Sequence, residues 1–344
     1  PDVQKLEAAC ARWSGTKHGI GCASGSDALL LSLMVLDIKP GDEVICPSFT
    51  FFATASPVTR LGATPVFVDI DPVTFNIDPA ALEAAITPNT KAVIPVHLFG
   101  QCADMPRIME ICDRTGLTVI EDAAQAIGAN IAGRAAGSWG QVGCISFYPT
   151  KNLGGFGDGG MLVTNDVDFE DRLRLFAGHG MRPRYHHQVI GINSRLDTIQ
   201  AAALNVKMKH LESANLARQT NAQLYTALFD DAGLEADIVL PHSTYGTGHV
   251  WNQYTVRVKN GQRDSLKEFL AERNIGAEIY YPIPVHAQKC FQTCPSIDMD
   301  LTETNRAADE VLSLPIFPEL EESEIHAVVA GVTSFYSMPQ SKAA

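Results

Sequence analysis

Between Gly19 and about Asn165, short β-branched runs alternate with stretches of helical period, and Gly, Pro or Asp marks each change. The runs Glu43 to Cys46, Pro65 to Asp69, Ala92 to Val96, Leu117 to Ile120 and Gly160 to Thr164 are mostly apolar. Strands buried on both faces read this way, and parallel strands need a covering crossover between them. The alternation therefore predicts an α/β fold, a mostly parallel central sheet covered by helices. In such sheets ligands gather at the carboxyl ends of the strands.

Beyond the alternating region the pattern changes. Asp197 to Leu228 reads as one long helix, with Ile199, Ala202, Ala203, Val206, Met208 and Leu211 as its apolar face. A strand at Gln253 to Val258, a helix at Gln262 to Arg273, a Pro-rich stretch at Tyr281 to Val285 and a last helix from Glu322 to about Ser334 follow. That order predicts a smaller α+β unit. At 344 residues the chain is long for one core, and the expected division is a large domain over 1–210 and a small C-terminal domain over 211–344.

Composition narrows the function classes. The net charge is −13, with no run of five basic residues, so nucleic acid is not an expected partner. No stretch approaches the ~18 apolar residues of a membrane span, so no membrane partner and a cytoplasmic location are expected. The eight cysteines are scattered, and only Cys290 and Cys294 lie close together, without a second pair or a suitably spaced His. No metal is expected. A helical pattern is already under way at Pro1, which leaves the expectation that an earlier segment belongs to the full protein and contributes to its site.

Three short segments carry chemistry. Gly21-Cys22-Ala23-Ser24-Gly25-Ser26-Asp27-Ala28-Leu29 sets small residues ahead of an apolar helix, which suits a phosphate at a helix N-terminus and equally an ordinary Ser-capped helix. Thr118-Val119-Ile120-Glu121-Asp122 ends a strand in two acids. Such a carboxylate can pair with a ring cation, the partner that the pyridinium of pyridoxal phosphate needs, or can cap a following helix. Ser146-Phe147-Tyr148-Pro149-Thr150-Lys151-Asn152 then runs into a glycine-rich tail from Gly154 to Gly160. A desolvated lysine there can form a Schiff base with an aldehyde, whereas a lone lysine elsewhere is a solvated charge.

The ordered combination resembles the DegT/DnrJ/StrS-type nucleotide-sugar aminotransferases, from Trp13 to about Val332. Further blocks that carry the resemblance are Pro47-Ser48-Phe49-Thr50-Phe51, Pro95-Val96-His97-Leu98-Phe99-Gly100, Gly191-Ile192-Asn193-Ser194-Arg195-Leu196-Asp197 and Tyr281-Pro282-Ile283-Pro284. The resemblance implies an aspartate aminotransferase-type (type I) fold and pyridoxal 5′-phosphate as cofactor. It implies that Lys151 holds the cofactor, that Asp122 pairs with the ring nitrogen, that Gln125 meets the ring hydroxyl and that Phe51 stacks on the ring. The phosphate would be met by the Ser26 and Asp27 amides, the Ser146 hydroxyl and Asn193 of a second subunit, in a homodimer with shared active sites.

A nucleotide-linked keto sugar and an amino-acid donor, glutamate, are the implied substrates, in a route to cell-surface polysaccharide such as lipopolysaccharide O-antigen. Arg184-Tyr185-His186-His187 and the Asn193-Ser194-Arg195 block are most similar to the subgroup that aminates UDP-linked 2-acetamido-3-keto-glucuronate. Arg195 would then grip the carboxylate, with His186, His187, Tyr280 and Tyr281 as further sugar contacts. A purely structural Arg195 is the alternative. Tyr280 stands where many relatives have His, which puts that sugar contact in doubt. Competing readings are a 4-keto-6-deoxy sugar as acceptor and a non-catalytic regulator that keeps the fold. A nicotinamide dehydrogenase is disfavoured because no Gly-x-Gly-x-x-Gly follows the first strand.

Overall fold

A computed structural model describes residues 1–292 and 299–337. Cys294 lies outside the described residues. Seven strands build the main sheet: β1 His18–Cys22, β2 Glu43–Pro47, β3 Thr64–Val68, β4 Thr90–Val93, β5 Thr118–Asp122, β6 Val142–Ser146 and β7 Gly160–Thr164. They lie in the order β1-β7-β6-β5-β4-β2-β3. Neighbours from β6 through to β3 pair parallel, while β7 pairs antiparallel with both β1 and β6. The mostly parallel α/β sheet expected from the alternation is what forms.

The pleat sends successive residues to opposite faces, and both faces are covered. Ile45, Val66, Val93, Val119 and Ile145 enter one apolar core. Their neighbours Val44, Phe67, Ala92, Ile120 and Cys144 enter another on the far side. This double burial is why the strands carry so few polar positions. The first helix, α1 Asp2–Trp13, is tied down by Glu7, whose carboxylate takes two Arg174 guanidinium N–H groups at 3.1 and 3.2 Å and the Gly21 amide at 2.8 Å. The contact fixes β1, and with it the loop that follows.

A second, three-stranded sheet is antiparallel and comprises β8 Ile238–Val239, β9 Tyr254–Val258 and β10 Val311–Leu314. Its core holds Tyr225, Tyr254, Val256, Leu270, Leu312 and Ile325. The expected single helix from Asp197 to Leu228 is instead two: Thr198–Lys207, a tight turn over Met208–His210, and Leu211–Ala232. The expected apolar face also differs. Ala201, Leu204 and Asn205 are buried, while Ile199 and Val206 are 76% and 58% exposed. Leu211 packs into the core of the main sheet, whereas Ala222, Tyr225 and Phe229 of the same helix pack into the second core.

No helix is long and apolar enough to cross a membrane among the described residues.

Candidate active site

The carboxyl ends of β1, β5 and β6, together with Tyr280 and Tyr281, enclose a cavity of about 550 Å³. At one end Ser24 caps the helix α2 Gly25–Val35, its side chain accepting the Asp27 amide. Ser24, Gly25 and Ser26 line the cavity, so the positive end of the helix dipole faces it. Gly25 is required by space: a Cβ there would stand 2.8 Å from the Ser146 Cβ. Ser146 comes off the end of β6 into the same lining, its Oγ accepting the Tyr148 amide at 3.2 Å, which leaves the hydroxyl proton free to donate to an anion. The loop is a Ser-capped helix, and the same geometry leaves the helix end facing the cavity, where an anion could sit.

The two acids at the end of β5 have separate fates because the pleat points them apart. Glu121, fully buried, accepts the His97 Nε2–H at 2.9 Å and the amides of Gly137, Trp139 and Gly140. His97 Nδ1 meanwhile accepts the Ala103 amide, so His97 is the tautomer with its proton on Nε2. Glu121 is thereby consumed in holding loops. Asp122 lines the cavity. Its Oδ1 accepts the Ala124 amide at 3.2 Å and its Oδ2 the Thr54 hydroxyl at 2.8 Å. It caps a turn rather than a helix. Burial pushes its carboxyl above the usual aspartate range, opposed by the two hydrogen bonds and by the charge of Lys151.

Lys151 projects from the tight loop after β6, in which the Lys151 amide donates to Tyr148 O and the Gly155 amide to Phe147 O. Any side chain at Gly154 would collide with Pro149 O, at 2.2 Å from the added Cβ, so the glycine tail lets the chain fold back beneath the lysine. Burial holds the Lys151 ammonium below the usual lysine value, and the attraction of Asp122 only partly restores it. The amine is thus shifted toward its neutral, nucleophilic form.

Gln125 is fixed in orientation. The Phe99 amide can only donate, so the carboxamide oxygen faces it at 2.6 Å, and Nε2 donates to Tyr281 Oη at 3.2 Å. The second Nε2 proton remains for a ligand in the cavity that Gln125 also lines. Phe51, 55% exposed, presents its ring to the same space, 6.0 Å from Tyr281. Tyr280 and Tyr281 arrive there because the C-terminal strap is pinned to the main sheet: Val285 donates to Ser48 O, and Ser48 Oγ bonds His286 Nδ1 at 2.6 Å.

Other expected residues lie elsewhere in the single chain. The Asp27 amide is used by the Ser24 cap, and Asp27 is not part of the lining. Asn193, Arg195, His186 and His187 also lie outside it, on an exposed surface excursion in which Arg195 Nε donates to Asn193 Oδ1 and His187 Nδ1 bonds His179 O. Conversely Thr50, Tyr148, Asn252 and Gln253 line the cavity without having been singled out from the sequence. Thr50 and Tyr148 stood inside noted blocks. Asn252 and Gln253 come from the second unit with no local signal.

Pyridoxal phosphate fits this donor set. A helix N-terminus and a free hydroxyl suit its phosphate, a buried carboxylate its ring nitrogen, a carboxamide N–H its hydroxyl, and a depressed amine its aldehyde.

The likeness to known proteins agrees. A pleiotropic regulatory protein of Geobacillus stearothermophilus is 51% identical over 334 residues, 97% of this chain and 89% of its own. A UDP-N-acetyl-3-dehydro-α-D-glucosamine 3-aminotransferase of Acidithiobacillus ferrooxidans is 50% identical, with 93% and 85% covered. A UDP-2-acetamido-2-deoxy-3-oxo-D-glucuronate aminotransferase of Pseudomonas aeruginosa is 43% identical, with 97% and 90% covered. Among solved structures, a DegT DnrJ EryC1 StrS aminotransferase from Brucella abortus superposes with a TM-score of 0.93 at 40% identity, covering 98% of this chain and 91% of that one. DesV of S. venezuelae, solved in complex with a ketimine intermediate, gives 0.92 at 42%, covering 98% and 90%. With residues 1–333 matching the family profile and a lysine and an aspartate lining one cavity whose donors suit the cofactor, the chain belongs to the DegT/DnrJ/EryC1/StrS aminotransferase family.

Proposed function

We propose that this protein transfers an amino group from an amino acid, glutamate, to a UDP-linked 2-acetamido-3-keto hexose. The observation that carries the reading is the meeting of Lys151 and Asp122 in one cavity, each feeling the other's charge. Bound pyridoxal phosphate supplies an electron sink that lets the C–H bond beside nitrogen ionise. Lys151 Nζ would hold its aldehyde carbon and would be the base for the α-carbon proton of the donor. Asp122 holds the ring-nitrogen proton, Gln125 Nε2 donates to the ring hydroxyl, Phe51 covers the ring face, and the Gly25–Ser26 end of α2 with Ser146 grips the phosphate. A protein that served only as a regulator would have no use for the depressed amine beside the carboxylate. The test is to incubate the pyridoxamine form with a panel of UDP- and dTDP-keto sugars. Return of the pyridoxal absorbance with a UDP-3-keto sugar is the expected result, and return with a dTDP-4-keto-6-deoxy sugar alone would displace the acceptor assignment.

The relatives at 50% and 43% identity differ at the sugar's C6, one named for a glucosamine and the other for a glucuronate. The uronate reading needs a cation for the carboxylate, and Arg195 is the residue for it, supplied from a second subunit together with Asn193. Truncating one partner of a buried charged hydrogen bond costs about 2 to 5 kcal/mol, roughly 30-fold to several thousand-fold. Arg195→Met is therefore expected to lower kcat/KM on the uronate by that order and to spare the neutral sugar. A neutral acceptor is the second reading, favoured by the cavity itself, in which Lys151 is the one cationic side chain among the described lining residues. Equal losses on both acceptors, or a wild-type preference for the neutral one, would support it.

The homodimer with shared sites is supported by exposed apolar side chains in the stretch of chain that carries Asn193 and Arg195. Ile190 is 93% exposed, Tyr185 74% and Ile199 76%, an apolar set that a second copy would cover. Mixing inactive Lys151→Ala with a severely impaired Asn193→Ala variant is expected to restore part of the activity, through dimers with one intact site. No recovery despite verified subunit exchange would count against sharing. The domain division at 210/211 is proposed on the turn at Met208–His210, after which the helix passes from one core to the other.

A further inference from the structure

Asp122 is held by a hydroxyl chain to which neither the sequence motifs nor the cofactor contacts assign a role. Thr54 Oγ1 lies 2.8 Å from Asp122 Oδ2 and 2.9 Å from Thr50 Oγ1, and both threonines are buried, at 0% and 2% exposure. The proton directions follow from the chemistry of the three groups. A carboxylate only accepts, so Thr54 must spend its single O–H on Asp122. Thr50 must then donate its own proton to Thr54. The chain runs one way, Thr50 to Thr54 to Asp122, and each bond polarises the next.

Three elements meet to form it. Thr50 follows β2, Thr54 ends the short turn Phe52–Thr54, and Asp122 ends β5. Local sequence has no reason to place two buried hydroxyls here, since each must find a partner or remain unsatisfied at a cost. With the Ala124 amide on Oδ1 and Thr54 on Oδ2, each carboxylate oxygen has one fixed donor. The plane of the carboxylate is therefore set, and one lone pair on each oxygen remains for the cavity.

We propose that Thr54, backed by Thr50, is a positioning residue that keeps Asp122 ionised and aimed at the ring nitrogen of the cofactor. The inference rests on the proposed pairing of Asp122 with that nitrogen. Burial by itself drives Asp122 toward its neutral form, and the Thr54 hydrogen bond is the first of the effects that oppose it. Loss of the hydroxyl removes that support from a desolvated charge.

The test measures cofactor affinity rather than turnover. Dissociation constants of the wild type, Thr54→Val and Thr54→Ser are compared for pyridoxal phosphate and for an analogue with C–H in place of the ring nitrogen. Thr54→Val, which keeps the shape and deletes the donor, is expected to bind pyridoxal phosphate about 10- to 100-fold more weakly. Thr54→Ser, which keeps the hydroxyl, is expected to stay within about 3-fold of wild type. On the analogue the wild type and Thr54→Val should bind alike, because Asp122 has nothing there to hold. If Thr54→Val loses its melting transition, Thr54→Ala carries the same expectation. The proposal is overturned if Thr54→Val binds pyridoxal phosphate as the wild type does, if Thr54→Ser falls as far as Thr54→Val, or if the analogue shows the same loss. Wild type that does not distinguish pyridoxal phosphate from the analogue would instead sink the underlying Asp122 pairing, and the proposal with it.

Discussion

Lys151→Ala is expected to lose at least about 10³-fold in turnover, because one substitution removes both the covalent tether and the base that moves the substrate proton. The fold should survive it, since the loop is shaped by backbone hydrogen bonds and by the space at Gly154 rather than by the lysine side chain. Borohydride treatment of the yellow wild-type protein should fix the label on the peptide carrying Lys151. A label on another lysine would remove the assignment, as would retained turnover in the alanine variant. Small added amines should restore part of the proton transfer if the missing group acts as a base.

Asp122→Asn should cost about 2 to 5 kcal/mol of transition-state stabilisation, or roughly 30-fold to several thousand-fold in kcat/KM. The loss is severe for such a conservative change because both carboxylate oxygens already accept a donor, Ala124 N–H on one and Thr54 O–H on the other. An amide can satisfy only one of them and has no charge to offer the ring. The same substitution has an electrostatic signature in the protein without cofactor. Burial lowers the Lys151 pKa and Asp122 raises it part of the way back. Removing the carboxylate takes that attraction away, so the pKa falls further. Labelling of Lys151 by an amine-reactive reagent needs the neutral amine and so rises with pH. Its midpoint should lie below that of surface lysines in the wild type and lower still in Asp122→Asn. A midpoint that moves upward would show that the two groups do not interact as described.

The expected residues that line the cavity were legible because most of them stand in short contiguous segments. Ser24 to Ser26 opens a helix, Asp122 to Gln125 closes a strand, and Ser146 to Lys151 is one turn of chain. In each, local chemistry alone restricts what the residues can do. Thr54, Asn252 and Gln253 were not legible, because their role depends on which segments the sheet and the strap bring together. The helix after Asp197 failed for a related reason. Its apolar stripe of Ile199 and Val206 has correct helical spacing, but periodicity reports that a face is apolar and not what covers it. The core of the chain takes Ala201 and Leu204 instead. The break at Met208–His210 carries neither Gly nor Pro, so nothing in the pattern marked it.

The order of the main sheet also fixes when the protein can be finished during its synthesis. Among the described residues β1 pairs with no strand but β7, from the far end of the sheet's sequence. Some 140 residues separate the end of one from the end of the other. At translation speeds of about 5–20 residues per second, the nascent β1 waits roughly 7–28 s on the ribosome before its partner exists. For most of that interval the loop Ser24–Gly25–Ser26 has neither Ser146 nor Gly160 to close against. The cofactor should therefore be captured only after the emerging chain has passed Thr164, and ribosome-bound fragments stalled before and after that point should differ in whether they retain it.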